Sequence, residues 1–389
     1  MSLPYEDDDI ILTHYGEDPS RYFGAVIPPV FMTSLHVKEN FDDVYATGCD
    51  ENYSYQYGRV ANPTIEFLEK KLAALERGCK ALCFASGMAA ITASILNAAK
   101  TGSHMICVMN AYGPTRQFIE ECKARFGMSA TYVRGIDPAE IEDAARPETA
   151  LIMLESPTSL VFEIIDLEAV AKMARKRGIT TIIDNTYSAA LYQKPLEFGI
   201  DLSVHTASKY FGGHSDIIAG AAVGSDPAFM DRLAGNRALY GGILGPMEGW
   251  LMLRGLRTLR VRLEAHQAAA TKIAEYLEKH PKIGAVHYPG LKSHPQRELI
   301  MRQQTGSSGL MSLEVPGNPE KVKAAFDTLR FFHAAPSWGG FESLRIFLAE
   351  SGSNQMEWLG CKDNLIRLHI GLEGADNLIS DLEAALKHL

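Results

Sequence analysis

The chain has 389 residues, of which 46% are hydrophobic, and its formal net charge is -9. This length allows a large domain and a smaller one, with cores that need no disulfide staples. The negative charge and the absence of any run dense in Lys and Arg argue against nucleic acid or an anionic membrane as the main partner, because both bind clustered positive charge.

Neither a membrane span nor a signal peptide is predicted, since no run of 18 apolar residues occurs and residues 1–10 are acidic. We therefore expect a cytoplasmic protein. The cysteines include no Cys-x-x-Cys pair, which favours buried free thiols over disulfides or zinc ligands. They are Cys49, Cys79, Cys83, Cys107, Cys122 and Cys361.

Residues 1–60 lack sustained hydrophobic periodicity and predict an extended arm. Asn62 then provides an N-cap and Pro63 a first helical position, and the apolar residues that follow share one helix face. A cofactor-binding domain is therefore expected over 61–255, followed by a C-terminal domain over 256–389.

Short apolar runs alternate with helical stretches, which predicts an α/β domain with a mostly parallel seven-stranded sheet covered by helices. A long helix pattern over 246–263 leads to a smaller α+β unit with strand-like segments at 311–315 and 365–370. The seven runs cover residues 81–84, 105–109, 131–133, 150–154, 180–183, 202–204 and 218–223.

A small turn, Ala85-Ser86-Gly87-Met88, follows the first of these strands and opens a helix. Free backbone N–H groups and the positive end of the helix dipole can hold a phosphate there. The signal is weak by itself, because strand-Gly-helix junctions also arise for steric reasons. The signatures of dinucleotide and P-loop sites, Gly-x-Gly-x-x-Gly and Gly-x-x-x-x-Gly-Lys-Ser/Thr, are absent.

Lys209 lies in the run Thr206-Ala-Ser208-Lys209, downstream of an apolar stretch that ends at Asp184. A lysine among hydroxyls and small residues can form a Schiff base with the aldehyde of pyridoxal phosphate (PLP), while a strand-end acid pairs with the pyridinium nitrogen. Thr206 and Ser208 alternate, so both hydroxyls can face a phosphate. Taken singly, the acid also suits a turn and the lysine a solvated loop.

Further motifs lie in a fixed order along the chain and together resemble the Cys/Met-metabolism family of PLP-dependent enzymes, from about residue 57 onward. That family contains cystathionine lyases, cystathionine γ-synthase, methionine γ-lyase and sulfhydrylases. The resemblance implies an aspartate aminotransferase-like fold of type I with PLP as cofactor. The motifs are Tyr57-Gly-Arg59, Asn62-Pro-Thr64, Ser86-Gly87-Met88-Ala-Ala, Asp184-Asn185-Thr186, Thr206-Ala-Ser208-Lys209-Tyr210, Gly213-His-Ser-Asp216, Arg254-Gly-Leu-Arg-Thr258-Leu and Tyr288-Pro-Gly-Leu.

By this resemblance, Lys209 is the Schiff-base lysine and Asp184 is the partner of the pyridinium nitrogen. Tyr112 corresponds to the tyrosine that stacks on the cofactor ring and assists proton transfer. The expected phosphate ligands are Ser86, Gly87, Met88, Thr206 and Ser208.

Tyr57 and Arg59 match the Tyr-x-Arg motif that, in this family, reaches the phosphate of a neighbouring subunit. The resemblance thus implies a homotetramer built from dimers that share active sites. Arg367 lies at the family's carboxylate-binding position, and its guanidinium suits the α-carboxylate of an amino acid because it holds that group in a fixed plane.

Two segments predict the reaction within the family. Glu155-Ser-Pro157-Thr-Ser159 is similar to bacterial cystathionine β-lyases, where many γ-specific members have Pro-Thr-Asn-Pro, and Ser337-Trp338 carries tryptophan where γ-specific relatives usually have leucine. Ser159, Ser337 and Trp338 are therefore expected beside a sulfur-containing amino-acid substrate, with β-elimination from L-cystathionine as the reaction. A γ-lyase, an O-acetylhomoserine-type sulfhydrylase and a catalytically silent PLP-binding protein remain alternatives.

Overall fold

The N-terminal region is partly folded onto its own chain. A computed structural model describes residues 7–45, 55–350, 352–353 and 359–389, so Cys49 and Tyr53 of the predicted arm lie outside the described residues. Ile11, Leu12 and Tyr22 are buried in the same apolar cluster as the first long helix, whereas most residues from 23 to 44 are exposed. The elements here are α1 (Asp8–Thr13), a 3-10 turn (Pro19–Tyr22) and α2 (Phe41–Tyr45).

The large sheet confirms the predicted seven-stranded, mostly parallel arrangement, with strand order β1-β7-β6-β5-β4-β2-β3. Only β7 runs antiparallel to its neighbours within this sheet, pairing with β1 on one side and β6 on the other. The strands are β1 (Lys80–Phe84), β2 (His104–Val108), β3 (Ser129–Val133), β4 (Thr149–Glu155), β5 (Thr180–Asp184), β6 (Leu202–His205) and β7 (Gly220–Gly224).

Helices cover both faces of this sheet. Leu82 and Phe84 of β1 pack in a cluster with α4 to α8, while Ala81 and Cys83 pack with α3, α9 and the start of α10, as the alternation of side chains in a strand requires. The helices are α3 (Pro63–Leu75), α4 (Gly87–Ala98), α5 (Gly113–Phe126), α6 (Pro138–Ala144), α7 (Leu167–Arg177), α8 (Pro227–Tyr240), α9 (Pro246–Leu256) and α10 (Leu259–Leu277), with a 3-10 turn at Pro195–Phe198.

The helix pattern over 246–263 is divided between α9 and α10. Gly255 packs so closely on Phe211 that an added Cβ would lie 2.3 Å from the Phe211 carbonyl oxygen. The Gly255 carbonyl accepts the N–H of Thr258 at 3.2 Å and Nη2 of Arg262 at 2.7 Å. The Thr258 N–H thus bonds three residues back, as in a tighter turn, and α9 ends at Leu256.

The C-terminal part forms a second sheet with strand order β10-β11-β12-β9-β8. β10 and β11 are parallel and the remaining pairs are antiparallel, so the predicted smaller α+β unit is confirmed. The domain limits at residues 60 and 255 stay predictions. The elements are β8 (Ala285–His287), α11 (Arg297–Gln303), β9 (Leu310–Val315), α12 (Pro319–Asp327), β10 (His333–Ala334), β11 (Leu344–Ala349), β12 (Asn364–His369) and α13 (Ala375–Leu386).

Within the described ranges, no helix has the length and apolar character needed to cross a membrane. The five cysteines in those ranges are free thiols, of which Cys79 is exposed and the others are buried.

Candidate active site

A cavity opens at the carboxyl ends of β4, β5 and β6, the edge at which open α/β sheets bind ligands. The strand register places Glu155 of β4 directly beside Asp184 of β5. Residues of the smaller domain close the cavity from the other side. The predicted site residues in its walls are Tyr112, Ser159, Asp184, Thr206, Lys209, Trp338 and Arg367.

Lys209 follows β6 in a tight turn and extends its amine into the cavity. Its Nζ donates a hydrogen bond of 2.7 Å to Ser337 Oγ and lies 5.6 Å from the centre of the Trp338 ring. Burial, aided by the charge of Arg367, lowers the pKa of Lys209 to about 8. The amine is therefore largely neutral in mildly alkaline solution, as a base must be.

The loop that carries Ser337 and Trp338 is fixed against Lys209. Gly339 has φ +88°, and an added Cβ there would lie 2.9 Å from the Lys209 Cα, so the backbone conformation and the space both require glycine. The Gly339 N–H donates to His369 Nε2 at 3.1 Å. His369 thus anchors the loop to β12, the strand that carries Arg367.

Asp184 is buried, with 6% of its surface exposed. Its Oδ1 accepts hydrogen bonds from the N–H and the hydroxyl of Thr186, and no described residue donates to Oδ2. Burial raises the pKa of this carboxyl above its ordinary value. A carboxylate oxygen of a cavity-lining residue that accepts no hydrogen bond from the described residues fits a cationic N–H donor such as a protonated pyridine ring.

The start of α4 lies against Thr206. Ser86 caps the helix through Oγ, which accepts the Ala89 N–H at 3.1 Å, and the N–H groups of Gly87 and Met88 donate to none of the described residues. A Cβ on Gly87 would lie 2.1 Å from Thr206 Oγ1. Two free N–H groups at the positive end of a helix, beside a hydroxyl, fit a phosphate.

Ser208 has a different environment from Thr206. Its hydroxyl donates to the Ala219 carbonyl at 3.3 Å and accepts the Ala219 N–H at 2.9 Å. The side chain therefore ties the lysine turn to the chain before β7, and its contact with a phosphate stays a prediction.

Tyr112 and Arg367 face the cavity from opposite domains. The Tyr112 N–H donates to Glu155 Oε2 at 2.7 Å, and burial together with Asp184 raises the pKa of its phenol. Burial lowers the pKa of Arg367 to about 10. Among the described residues, none accepts a hydrogen bond from its guanidinium, so this group is available for a carboxylate.

Glu155 is a site residue whose role the sequence did not reveal. It is buried, it accepts the hydroxyl of Ser159, and burial with the neighbouring Asp184 raises its pKa to about 8. The signal was present, because Glu155 ends an apolar strand in the same way that Asp184 does. Tyr187, which also lines the cavity, was not predicted, although it directly follows the Asp184-Asn185-Thr186 motif.

Tyr57 and Arg59 lie outside the cavity of their own chain. The Arg59 guanidinium is 5.5 Å from the centre of the Tyr57 ring, and its Nη1 donates to the Ala238 carbonyl of α8. Their expected contact with the phosphate of a neighbouring subunit stays a prediction.

These groups fit PLP by their chemistry. A neutral lysine amine can bond to an aldehyde, the open oxygen of Asp184 suits a pyridinium, and the first turn of α4 suits a phosphate. The fold and the cavity together define a PLP-dependent enzyme of fold type I.

Comparisons with known proteins give the family. Residues 9–387 match the family model of Cys/Met metabolism PLP-dependent enzymes. The chain is 36% identical to L-methionine gamma-lyase of Pseudomonas putida, over 96% of each chain, and 35% identical to cystathionine beta-lyase of Coxiella burnetii, over 97% of each. The crystal structure of metB from Corynebacterium glutamicum matches with a TM-score of 0.90 and 32% identity, over 98% of each chain. The chain therefore belongs to the Cys/Met metabolism PLP-dependent enzyme family, and its cofactor is PLP.

Proposed function

We propose that this chain is a carbon-sulfur β-lyase that converts L-cystathionine and water to homocysteine, pyruvate and ammonia. The identities to a γ-lyase and a β-lyase, 36% and 35%, are too similar to separate the two reactions. The observation that supports β-elimination is the position of Trp338, whose ring centre lies 5.6 Å from the base candidate Lys209.

The residues of the cavity supply what the first steps need. Arg367 holds the substrate α-carboxylate in one plane, and Asp184 provides the negative charge that keeps the pyridine nitrogen protonated. When bound, PLP withdraws electrons from the substrate Cα and so stabilises the charge left by proton removal. Lys209 Nζ takes the Cα proton, and Ser337, which accepts its N–H at 2.7 Å, holds the amine in place.

The two reactions differ in the proton transfers that follow. β-Elimination expels the thiolate directly from Cβ, whereas γ-elimination first requires a proton to be removed from Cβ. A base that serves both carbons has to move between them. The Trp338 ring limits that movement, since it stands beside Nζ and packs edge-on against Tyr210 with a centroid distance of 5.5 Å.

The product of cystathionine cleavage tests the proposal. Purified holoenzyme should release mainly pyruvate, which chromatography of the oxo acids separates from 2-oxobutyrate. Predominant 2-oxobutyrate would make the enzyme a γ-lyase, the second candidate, which the similarity to L-methionine gamma-lyase favours. An absorbance band of bound cofactor that never responds to amino acids would instead favour a silent PLP-binding protein.

Replacement of Trp338 tests the structural argument. Trp338→Leu should raise the ratio of 2-oxobutyrate to pyruvate, because the smaller side chain gives the Lys209 amine more room. Trp250→Leu is the matched control, since Trp250 lies on α9 and donates to the Pro28 carbonyl away from the cavity. If the ratio is the same in both variants and the wild type, Trp338 does not select the reaction.

A further inference from the structure

Three side chains with metal-binding chemistry meet on the smaller sheet, outside the active-site cavity. The register of β8 and β9 places Ala285 opposite Glu314, so His287 lies two residues further on the same face. Cys361 precedes β12, the neighbour of β9 on its other side. His287 Nε2 is 2.9 Å from Glu314 Oε1 and 3.9 Å from Cys361 Sγ, and one ligand atom from each residue lies within 4.8 Å of the others.

These separations are close to those around a tetrahedral zinc ion. Zinc bonds of about 2.0–2.3 Å to nitrogen, oxygen and sulfur place neighbouring ligand atoms about 3.3–3.6 Å apart. The His287 to Glu314 distance has to lengthen slightly and the His287 to Cys361 distance has to shorten slightly. Side-chain rotations of that size need no movement of the strands.

The surroundings fix the ligands and balance the charge. Glu314 Oε2 accepts the backbone N–H groups of Lys362 at 2.7 Å and Asp363 at 3.1 Å, which orients the carboxylate as outer-shell partners do in zinc proteins. When the Glu314 carboxyl and the Cys361 thiol are both deprotonated, their two negative charges balance the two positive charges of a divalent cation.

A cleft gives this cluster access to solvent. His287 lies in its wall beside Leu359 and Gly360, the residues that precede Cys361. A water molecule from the cleft can therefore take the fourth coordination position. Burial raises the pKa of the Cys361 thiol to about 12, so the cation has to displace the thiol proton, as zinc does on binding cysteine.

We propose that His287, Glu314 and Cys361 form a binding site for a thiophilic divalent cation, with zinc as the best fit. Cys361 packs in one apolar cluster with Val161 and Leu160, and Leu160 also lines the active-site cavity. The bound cation would fasten the segment before β12 to β8 and β9. It would thereby support the wall that contains Ser159.

Cobalt absorption tests this site. Holoenzyme freed of metal by a chelator is titrated with Co²⁺, which gives strong visible bands in tetrahedral sites and a near-ultraviolet charge-transfer band when a thiolate binds. We expect about one Co²⁺ per chain, displaced by Zn²⁺, and affinity at least ~10-fold lower in Cys361→Ser and in His287→Gln. The charge-transfer band should vanish in Cys361→Ser.

Cys79→Ser is the control, because Cys79 is an exposed thiol outside the cluster. It should leave both bands and the affinity unchanged. The cofactor absorbance of every variant shows that it is folded and loaded, and Co²⁺ held by the cofactor itself would persist in Cys361→Ser. The proposal is overturned if wild-type protein gives no thiolate band, or if that band survives in Cys361→Ser.

Discussion

At the scale of single residues, burial favours the form of Lys209 that its two proposed tasks require. The cavity disfavours an ammonium group, and the nearby Arg367 charge adds to that effect, while Asp184 and Glu342 oppose it. The net result lowers the pKa from the ordinary value of 10.5 to about 8. A neutral amine is what both attack on an aldehyde and removal of a proton require.

This shift predicts a pH dependence for uptake of the cofactor. The neutral form of Lys209 increases as pH rises through about 8, so the rate at which apoprotein attaches PLP covalently should rise over that range and then level off. Arg367→Leu removes a positive charge that lowers this pKa, and the midpoint should move to higher pH. Stopped-flow absorbance across a pH series measures both effects.

Arg302→Leu is the control, because Arg302 is paired with Asp166 on the surface. The titration of free PLP is the same for the wild type, Arg367→Leu and Arg302→Leu. A difference in midpoint among them therefore arises from the protein. We expect Arg302→Leu to leave the midpoint unchanged. If Arg367→Leu also leaves it unchanged, Arg367 does not lower the pKa of Lys209.

At the scale of elements, apolar runs predicted the seven strands of the large sheet, but in the smaller sheet they predicted β9 and β12 and missed β8, β10 and β11. All seven strands of the large sheet lie where apolar runs occur, because buried parallel strands need continuous apolar side chains. Near the end of α9, Gly255 packs closely on Phe211, a residue of a distant segment. The burial of Ile11 and Leu12 depends on α3. Such contacts join distant parts of the chain, and local periodicity does not encode them.

The N-terminus of α4 is the element most open to a direct test. Ser86→Ala removes the hydroxyl that accepts the Ala89 N–H, and loss of such a cap lowers the free energy of unfolding by about 0.5–2 kcal/mol. The first turn of α4 also presents the free N–H groups of Gly87 and Met88, so affinity for PLP should fall as well. Urea unfolding and equilibrium titration with PLP measure the two effects.

Asp226→Ala provides a matched cap deletion, because Asp226 accepts the Ala228 N–H at the start of α8. Its unfolding free energy should fall by a similar amount, about 0.5–2 kcal/mol, with unchanged PLP affinity. Equal PLP affinities in Ser86→Ala and the wild type would mean that the Ser86 hydroxyl does not contribute to the proposed phosphate site.

At the scale of the whole molecule, the predicted site residues gather because β5 and β6 are neighbours whose carboxyl ends meet. That adjacency follows from the fold, so Asp184 and Lys209 were predictable together. The cluster of His287, Glu314 and Cys361 was not, since its members come from three separate segments of the smaller domain. The cysteine spacing alone predicted a free thiol at Cys361.

The expected assembly of several subunits stays a prediction, for which the surface of the chain offers a candidate region. Phe23, Val37 and Phe41 of the N-terminal region are almost fully exposed, as is much of Leu239 on α8. Exposed apolar side chains concentrated in one region are typical of an interface. A second copy of this chain is the occupant that the family resemblance implies, with Tyr57 and Arg59 reaching its active site.

Mixed assemblies of two inactive variants test this shared site. If the arm of one chain completes the active site of its neighbour, Arg59→Ala inactivates the neighbouring site, whereas Lys209→Ala inactivates the site of the chain that carries it. Co-expression with two affinity tags yields assemblies in which one site per dimer combines an intact Lys209 with an intact Arg59. Between about a quarter and a half of the wild-type activity should return, because dimers pair by two-fold symmetry.

Lys209→Ala combined with Asp184→Ala is the control, since both changes affect the chain's own site and no intact site can form. If Arg59→Ala with Lys209→Ala recovers no more activity than this control, the arm does not complete the neighbouring site.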